Sequence, residues 1–127
     1  MSTILELCRD IPAKSFEPGT PLLAESKKSG LLYILIEGEV EILKGDMQVS
    51  TVSDPGAIFG EMSVLLDSPH TATVRARTAC RVHQIDDAAA FLQANKEIAY
   101  KLSQILAERL QGVTNYLADL NRYVRSM

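Results

Sequence analysis

Hydrophobic and polar positions change rhythm twice along the chain. From Ser2 to Arg9 the residues Ile4, Leu5 and Leu7 give one side of a short helix, with Ser2 or Thr3 placed to cap it and Pro12 to end it. Between Ser15 and Ile85 short β-prone runs alternate with turn signals at Glu17-Pro18-Gly19, Lys28-Ser29-Gly30, Glu37-Gly38, Lys44-Gly45-Asp46 and Asp54-Pro55-Gly56. That spacing predicts an antiparallel sandwich or roll. Leu31 to Ile36 is an unbroken apolar run suited to a buried strand. Val40 to Leu43 and Gln48 to Val52 flank a Gly-Asp hairpin turn and should pair. Pro55 and Gly56 fit the central places of a type II turn, because Pro presets the first φ and Gly accepts the positive φ of the second.

After Ile85 the period becomes helical. Asp86 or Asp87 is placed to cap Ala88 to Gln93, a break follows at Ala94-Asn95, and Lys96 to Arg125 reads as one helix. At about 1.5 Å per residue that helix is roughly 45 Å long, more than a roll of this size needs as cover. Its apolar residues form two stripes. Ile98, Leu102 and Ile105 occupy the first half; Leu106, Leu110, Val113, Leu117, Leu120 and Val124 follow at alternating four and three spacing, a heptad seam. The first stripe is expected to pack on the roll and the second to join a homodimer through the long helix. The alternative is that the second stripe covers the open end of its own roll.

Composition narrows the class. The chain has 127 residues, a usual length for one domain, with 46% hydrophobic and 23% charged residues, and no apolar run approaches a membrane span. The N-terminal stretch lacks the basic start and apolar core of a secretory signal, so a cytoplasmic location is expected. Cys8 and Cys80 stand apart and fit a reducing compartment as small apolar side chains. A net charge of −3, from 13 basic and 16 acidic residues, offers no field for nucleic acid or an acidic membrane. Arg75, Arg77 and Arg81 alternate onto one strand face, opposite Val74, Ala76, Cys80 and Val82, which reads as a solvated outer face.

Candidate chemistry concentrates between Phe59 and Val74. In Phe59-Gly60-Glu61-Met62-Ser63-Val64, Gly follows a strand and opens a helical turn whose first N–H groups have no partners within the helix and suit an anion. Glu61 would repel a phosphate unless its carboxylate points aside to accept a hydroxyl of the same ligand, so a sugar phosphate meets both requirements. Nine residues further on, His70 and Thr71 supply polar groups beside small Ala72 on what reads as a strand.

The whole stretch FGEMSVLLDSPHTATVRA closely resembles the phosphate-binding cassette of cyclic nucleotide-binding domains, FGE followed nine residues later by R(S/T/A)AxV. Gly38 and Gly56 match the family's structural glycines, and Phe91 to Leu110 resembles its following helices. The resemblance implies an eight-stranded antiparallel β-roll, a jelly-roll-like double-stranded β-helix, with a short N-terminal helix and C-terminal helices including a long one. One domain over 1–127 is then expected: a helical lead at 1–14, the roll at 15–85, and lid and dimerisation helices at 86–127. The implied ligand is cAMP or cGMP. By position, Glu61 would accept from the ribose 2′-hydroxyl, with Phe59 and Gly60 beside it. Gly60, Met62 and Ser63 would offer backbone contacts, and Thr71 and Ala72 would donate to the phosphate. Ile42 and Val49 would line the base pocket, and Val113, Thr114 and Leu117 match the region that touches the base or a partner subunit. No helix-turn-helix, kinase or channel segment is expected within these residues, leaving the effector unknown.

Position 70 departs from the family pattern, where an arginine usually makes two charged hydrogen bonds to the phosphate. Histidine offers at most one well-placed donor and is mostly neutral at pH 7. Three readings follow: a weak or pH-tuned nucleotide site, a site for another ligand, and a degenerate pocket in a module kept for dimerisation or protein interaction. An enzyme is not expected. His70 and His83 are the two histidines and fall on opposite strand faces by parity, so no three-histidine metal cluster and no cofactor is predicted. A Ser63 or Thr71 hydroxyl near His70 gives no complete nucleophile system.

Overall fold

The computed structural model describes residues 3–127. Helix α1 (Ile4–Leu7) is capped by Thr3, whose hydroxyl accepts from the Glu6 N–H at 3.2 Å. Ser2, the other expected cap, lies outside the described residues. Eight strands follow: β1 (Ala13–Phe16), β2 (Pro21–Leu23), β3 (Leu32–Glu37), β4 (Val40–Lys44), β5 (Met47–Val52), β6 (Ile58–Phe59), β7 (Thr73–Ala76) and β8 (Cys80–Ile85). Helix α2 (Glu61–Leu66) interrupts them between β6 and β7, and α3 (Ala88–Ala94) and α4 (Lys96–Arg125) close the chain.

The strands form two antiparallel sheets, ordered β1-β8-β3-β6 and β2-β7-β4-β5. This is the β-roll with flanking helices that the sequence predicts. Gly45 and Asp46 make the two-residue turn between β4 and β5, and the Asp54 carbonyl accepts from the Ala57 N–H at 3.0 Å across Pro55-Gly56, with Gly56 at φ +92°. The unbroken apolar run of β3 follows from its position between two cores. Leu32 and Ile34 turn toward a cluster formed with Ile4, Cys8, Ile85, Leu92, Ile98 and Leu102, while Tyr33 and Leu35 turn toward Leu22, Val40, Phe59, Val74 and Val82 between the sheets. A strand buried on both faces has no use for alternation.

Two expectations change at the surface. Arg75 and Arg77 belong to the sheet containing β7 or the residues just after it, whereas Arg81 lies on β8 in the other sheet. Each meets a carboxylate: Arg75 on Glu41, Arg77 on Glu39 at 2.6 Å, and Arg81 on Glu37 at 3.1 Å. The arginines are therefore divided and neutralised. On α4, Leu106 joins Ile105 against the helical core rather than the outer seam. The rest of the seam, Leu110, Val113, Leu117, Leu120 and Val124, is 45% to 66% exposed, so it does not cover the end of its own roll. Among the described residues no helix is long and apolar enough to cross a membrane.

Candidate functional site

A cavity of about 880 Å³ opens between the roll, α2 and the middle of α4. Its floor begins where β6 ends. Gly60 has φ +93°, and a Cβ there would stand 2.5 Å from the Leu31 carbonyl oxygen, so both conformation and space require glycine. The turn it permits starts α2 within the cavity wall, with the first N–H groups lacking partners inside the helix. Phe59, Gly60, Glu61, Met62 and Ser63 all line the cavity, although Phe59 is also buried in the core between the sheets.

Glu61 is buried, and its Oε1 accepts from Arg109 Nη1 at 2.9 Å. A second nitrogen of the same guanidinium lies 3.4 Å from the Ile58 carbonyl. Glu61 is thus bridged to α4 within the cavity lining. Behind it, the Ser63 hydroxyl donates to the Ser68 carbonyl and the Ser68 N–H returns a bond to Ser63 O at 3.1 Å, folding the segment back toward His70.

His70, Thr71 and Ala72 also line the cavity, but they precede β7, which begins at Thr73. The expected strand is therefore shorter, and the parity relation between His70 and His83 does not apply. The 24–27 turn, not a sheet ladder, holds His70: its N–H donates to the Lys27 carbonyl at 2.8 Å and its carbonyl accepts from the Ser26 N–H at 2.9 Å. The imidazole Nε2 and Ser29 Oγ share a hydrogen bond of 2.8 Å. His83 lies in β8 and donates from Nδ1 to the Ile11 carbonyl at 2.8 Å. Thr71 is exposed, and its carbonyl accepts from Lys44 Nζ at 2.7 Å.

Burial pushes the His70 imidazole below its ordinary pKa of 6.5. That opposes the imidazolium on which a pH-tuned phosphate contact would depend. It also couples folding to pH. The folded chain binds fewer protons at this ring than the unfolded chain, so its contribution to stability is fully present above about pH 6.5 and is lost as pH falls through the lower folded value. Urea denaturation at about pH 5 and about pH 7.5 should show lower stability at the acid end, and His70→Gln should remove part of that difference.

The opposite wall is apolar. Ile42 lines it with Leu23, Val52, Ala57 and Val74. Val49 does not reach the cavity. The β4–β5 register steps from Ile42↔Ser50 to Leu43↔Gln48, leaving Val49 as the extra residue of a bulge, and its side chain is exposed. Val113, Thr114 and Leu117 are also exposed and outside the cavity, because α4 faces it through Lys101, Ile105, Glu108 and Arg109 and then leaves the roll. Among the described residues no group of His, Cys, Asp and Glu is placed to hold a metal ion.

Arg109 was not among the residues singled out in the sequence. Its signal is a step in the inner stripe of the long helix: after Ile98, Leu102 and Ile105, the next place at four residues is an arginine instead of an apolar side chain. A charge at the end of a core-facing stripe needs a partner, and the partner lies 48 residues away in sequence.

Comparison with known proteins agrees with this geometry. A family model described as "Cyclic nucleotide-binding domain" matches residues 13–95. A CRP-like cAMP-activated global transcriptional regulator of Mycobacterium tuberculosis is 31% identical over 125 residues, covering 94% of this chain and 56% of the regulator. A cAMP-dependent protein kinase regulatory subunit of Yarrowia lipolytica is 33% identical over 78 residues, covering 61% of this chain and 21% of the subunit. The solved structure of PKAR CBD2 with bound Sp-2Cl-cAMPS superimposes with a TM-score of 0.67 at 26% identity, covering 89% of this chain and 75% of that one. The chain therefore spans about half the length of the regulator, 56%, and about a fifth of the kinase subunit, 21%.

Proposed function

The chain belongs to the cyclic nucleotide-binding domain family, and we propose that it is a non-enzymatic sensor module that binds cAMP or cGMP in the cavity beside α2. One observation carries this reading: a buried carboxylate, Glu61, opens a helix at the cavity floor while the Thr71-Ala72 segment lines the same cavity. A cyclic nucleotide presents a ribose hydroxyl and an anionic phosphate on one fused ring system. Glu61 accepts the hydroxyl, the backbone at Gly60, Met62 and Ser63 contacts the ribose and phosphate, and Thr71 and Ala72 donate to the phosphate. The apolar wall of Ile42, Val52 and Val74 receives the base. The chain acts as one domain over 1–127, and the exposed seam of α4 joins two copies.

A thermal shift tests the reading, because a ligand that binds the folded state alone raises stability by RT ln(1 + [L]/Kd). Millimolar cAMP or cGMP should raise the melting temperature of the chain. No shift with either nucleotide would rule out the sensor. It would favour the second reading, a degenerate module for dimerisation or protein interaction, to which the turn of His70 toward Ser29 lends support.

A further inference from the structure

We propose that Lys44, at the end of β4 and outside the cavity, is a positioning residue for the ligand's phosphate: it holds the peptide between Thr71 and Ala72 so that the Ala72 N–H faces into the site. This rests on the cyclic nucleotide reading of the cavity. Lys44 Nζ donates to the Thr71 carbonyl at 2.7 Å. That peptide is trans and planar, so its carbonyl and the N–H that follows point in opposite directions. Thr71 and Ala72 line the cavity, and Lys44 does not. A carbonyl tied to Lys44 on the outer side therefore turns the Ala72 N–H inward. Among the described residues no main-chain carbonyl accepts from that N–H.

Lys44 is itself held in place. Its ammonium lies 3.1 Å from Glu25 Oε2, while Oε1 of the same carboxylate accepts from the Gly45 N–H at 2.9 Å. The Gly45 N–H and the Lys44 ammonium hold the Glu25 carboxyl below the usual carboxylate range, so it stays ionised at neutral pH. The Glu25 N–H in turn donates to Thr73 Oγ1 at 3.0 Å. Together with the main-chain bonds of His70 to Ser26 and Lys27, these contacts fasten the 70–73 segment from the side away from the ligand. Of them, the Lys44 bond alone acts on the peptide that carries the Ala72 N–H.

The bond also changes the strength of that donor. A carbonyl that accepts a charged hydrogen bond polarises its peptide, and the N–H on the other side becomes a better donor. In this chain the histidine ring at position 70 is bonded to Ser29 and burial disfavours its cationic form, so recognition of a phosphate falls more heavily on main-chain donors. The Lys44 side chain is 57% exposed, and an exposed ion pair contributes little to stability, so the fold does not depend on this lysine.

Titration calorimetry on the full chain separates the positioning of a phosphate donor from a general structural role and from simple charge attraction. Lys44→Met should weaken the cyclic nucleotide, cAMP or cGMP, about fivefold or more. The matching nucleoside, adenosine or guanosine, keeps the base and ribose hydroxyls but has no phosphate, and should stay within about twofold of the wild type. Glu25→Gln supplies the sign. If Lys44 acted only as a positive charge near the phosphate, removal of the neighbouring negative charge would tighten cyclic nucleotide binding. If Glu25 steers Lys44 onto Thr71, an amide with one acceptor oxygen in place of two weakens it, by about twofold or more. Unchanged circular dichroism verifies the fold of each variant. Unaltered cyclic nucleotide affinity in Lys44→Met, equal losses for nucleotide and nucleoside, or unchanged or tighter nucleotide binding in Glu25→Gln would overturn the assignment. If the wild type itself binds no cyclic nucleotide, the underlying sensor reading fails and the assignment falls with it. If the wild type binds and Lys44→Met binds equally well, only the assignment fails.

Discussion

Replacing His70 by arginine raises the affinity of the chain for cAMP at least tenfold in calorimetric titration. The expectation follows from the value of a charged, bidentate hydrogen bond inside a desolvated site. Losing one partner of such a pair costs about 2 to 5 kcal/mol, roughly 30-fold to several thousand-fold in affinity, and restoring it recovers part of that range. The backbone at position 70 is held by Ser26 and Lys27 through main-chain bonds that do not depend on its side chain. Only Ser29 loses a side-chain partner, and Ser29 is exposed enough to bond to water. The adjoining cavity gives the longer side chain room to extend toward Thr71 and Ala72. An affinity unchanged by His70→Arg would mean that the segment does not receive a phosphate, and the interaction-module reading would gain accordingly.

The second large effect concerns α4. Leu110→Asp combined with Leu117→Asp should convert a dimer at micromolar concentration into a monomer, read as a halving of mass in light scattering. Five apolar side chains of the seam are about half exposed, and covering the remainder yields roughly 1 kcal/mol each, or about 10 kcal/mol over two helices. Two carboxylates placed in the seam of each helix would lose their water without gaining a partner, which opposes association. Both substitutions lie at exposed positions away from the cores, so the melting behaviour of each fold should change little beyond the loss of dimer. A wild-type chain already monomeric at micromolar concentration would exclude the dimer outright.

Much of this architecture was legible because its causes are local. The long helix runs over Lys96–Arg125 as its periodicity predicts, since continuous helical spacing without Pro sets both ends. The Gly45-Asp46 turn and the Pro55-Gly56 reversal follow from φ preferences that act within four residues. The residues from Phe59 to Ala72 were identifiable as one site for a similar reason: Gly60, with its positive φ, places Glu61 at the start of α2 whatever lies elsewhere in the chain.

The misjudged positions share a different cause. The resemblance places Val49 in the base pocket by position, and one bulge residue turns it outward without changing the hydrophobic pattern. Val113, Thr114 and Leu117, expected at the base or at a partner subunit, lie outside the cavity of their own chain, because the helix leaves the roll one turn earlier. His70 precedes the strand expected to hold it: its main chain pairs with the 24–27 turn and its ring bonds to Ser29.

The stretch from Phe59 to Val74 therefore divides into two kinds of information. The helical turn that opens after Gly60, the grouping of Glu61 with the 70–72 segment, and the absence of arginine at position 70 were legible in the sequence alone, because local conformation and side-chain chemistry act there directly. The partner of Glu61, the direction of the His70 ring and the outward face of the distal α4 seam were decided by tertiary packing. Ile98 and Leu102, buried against the helical core, dock α4 beside the cavity, and that docking brings Arg109 within 2.9 Å of a carboxylate 48 residues distant in sequence. No local pattern specifies such a distance; the shared hydrophobic core does, by holding two distant segments in one rigid arrangement.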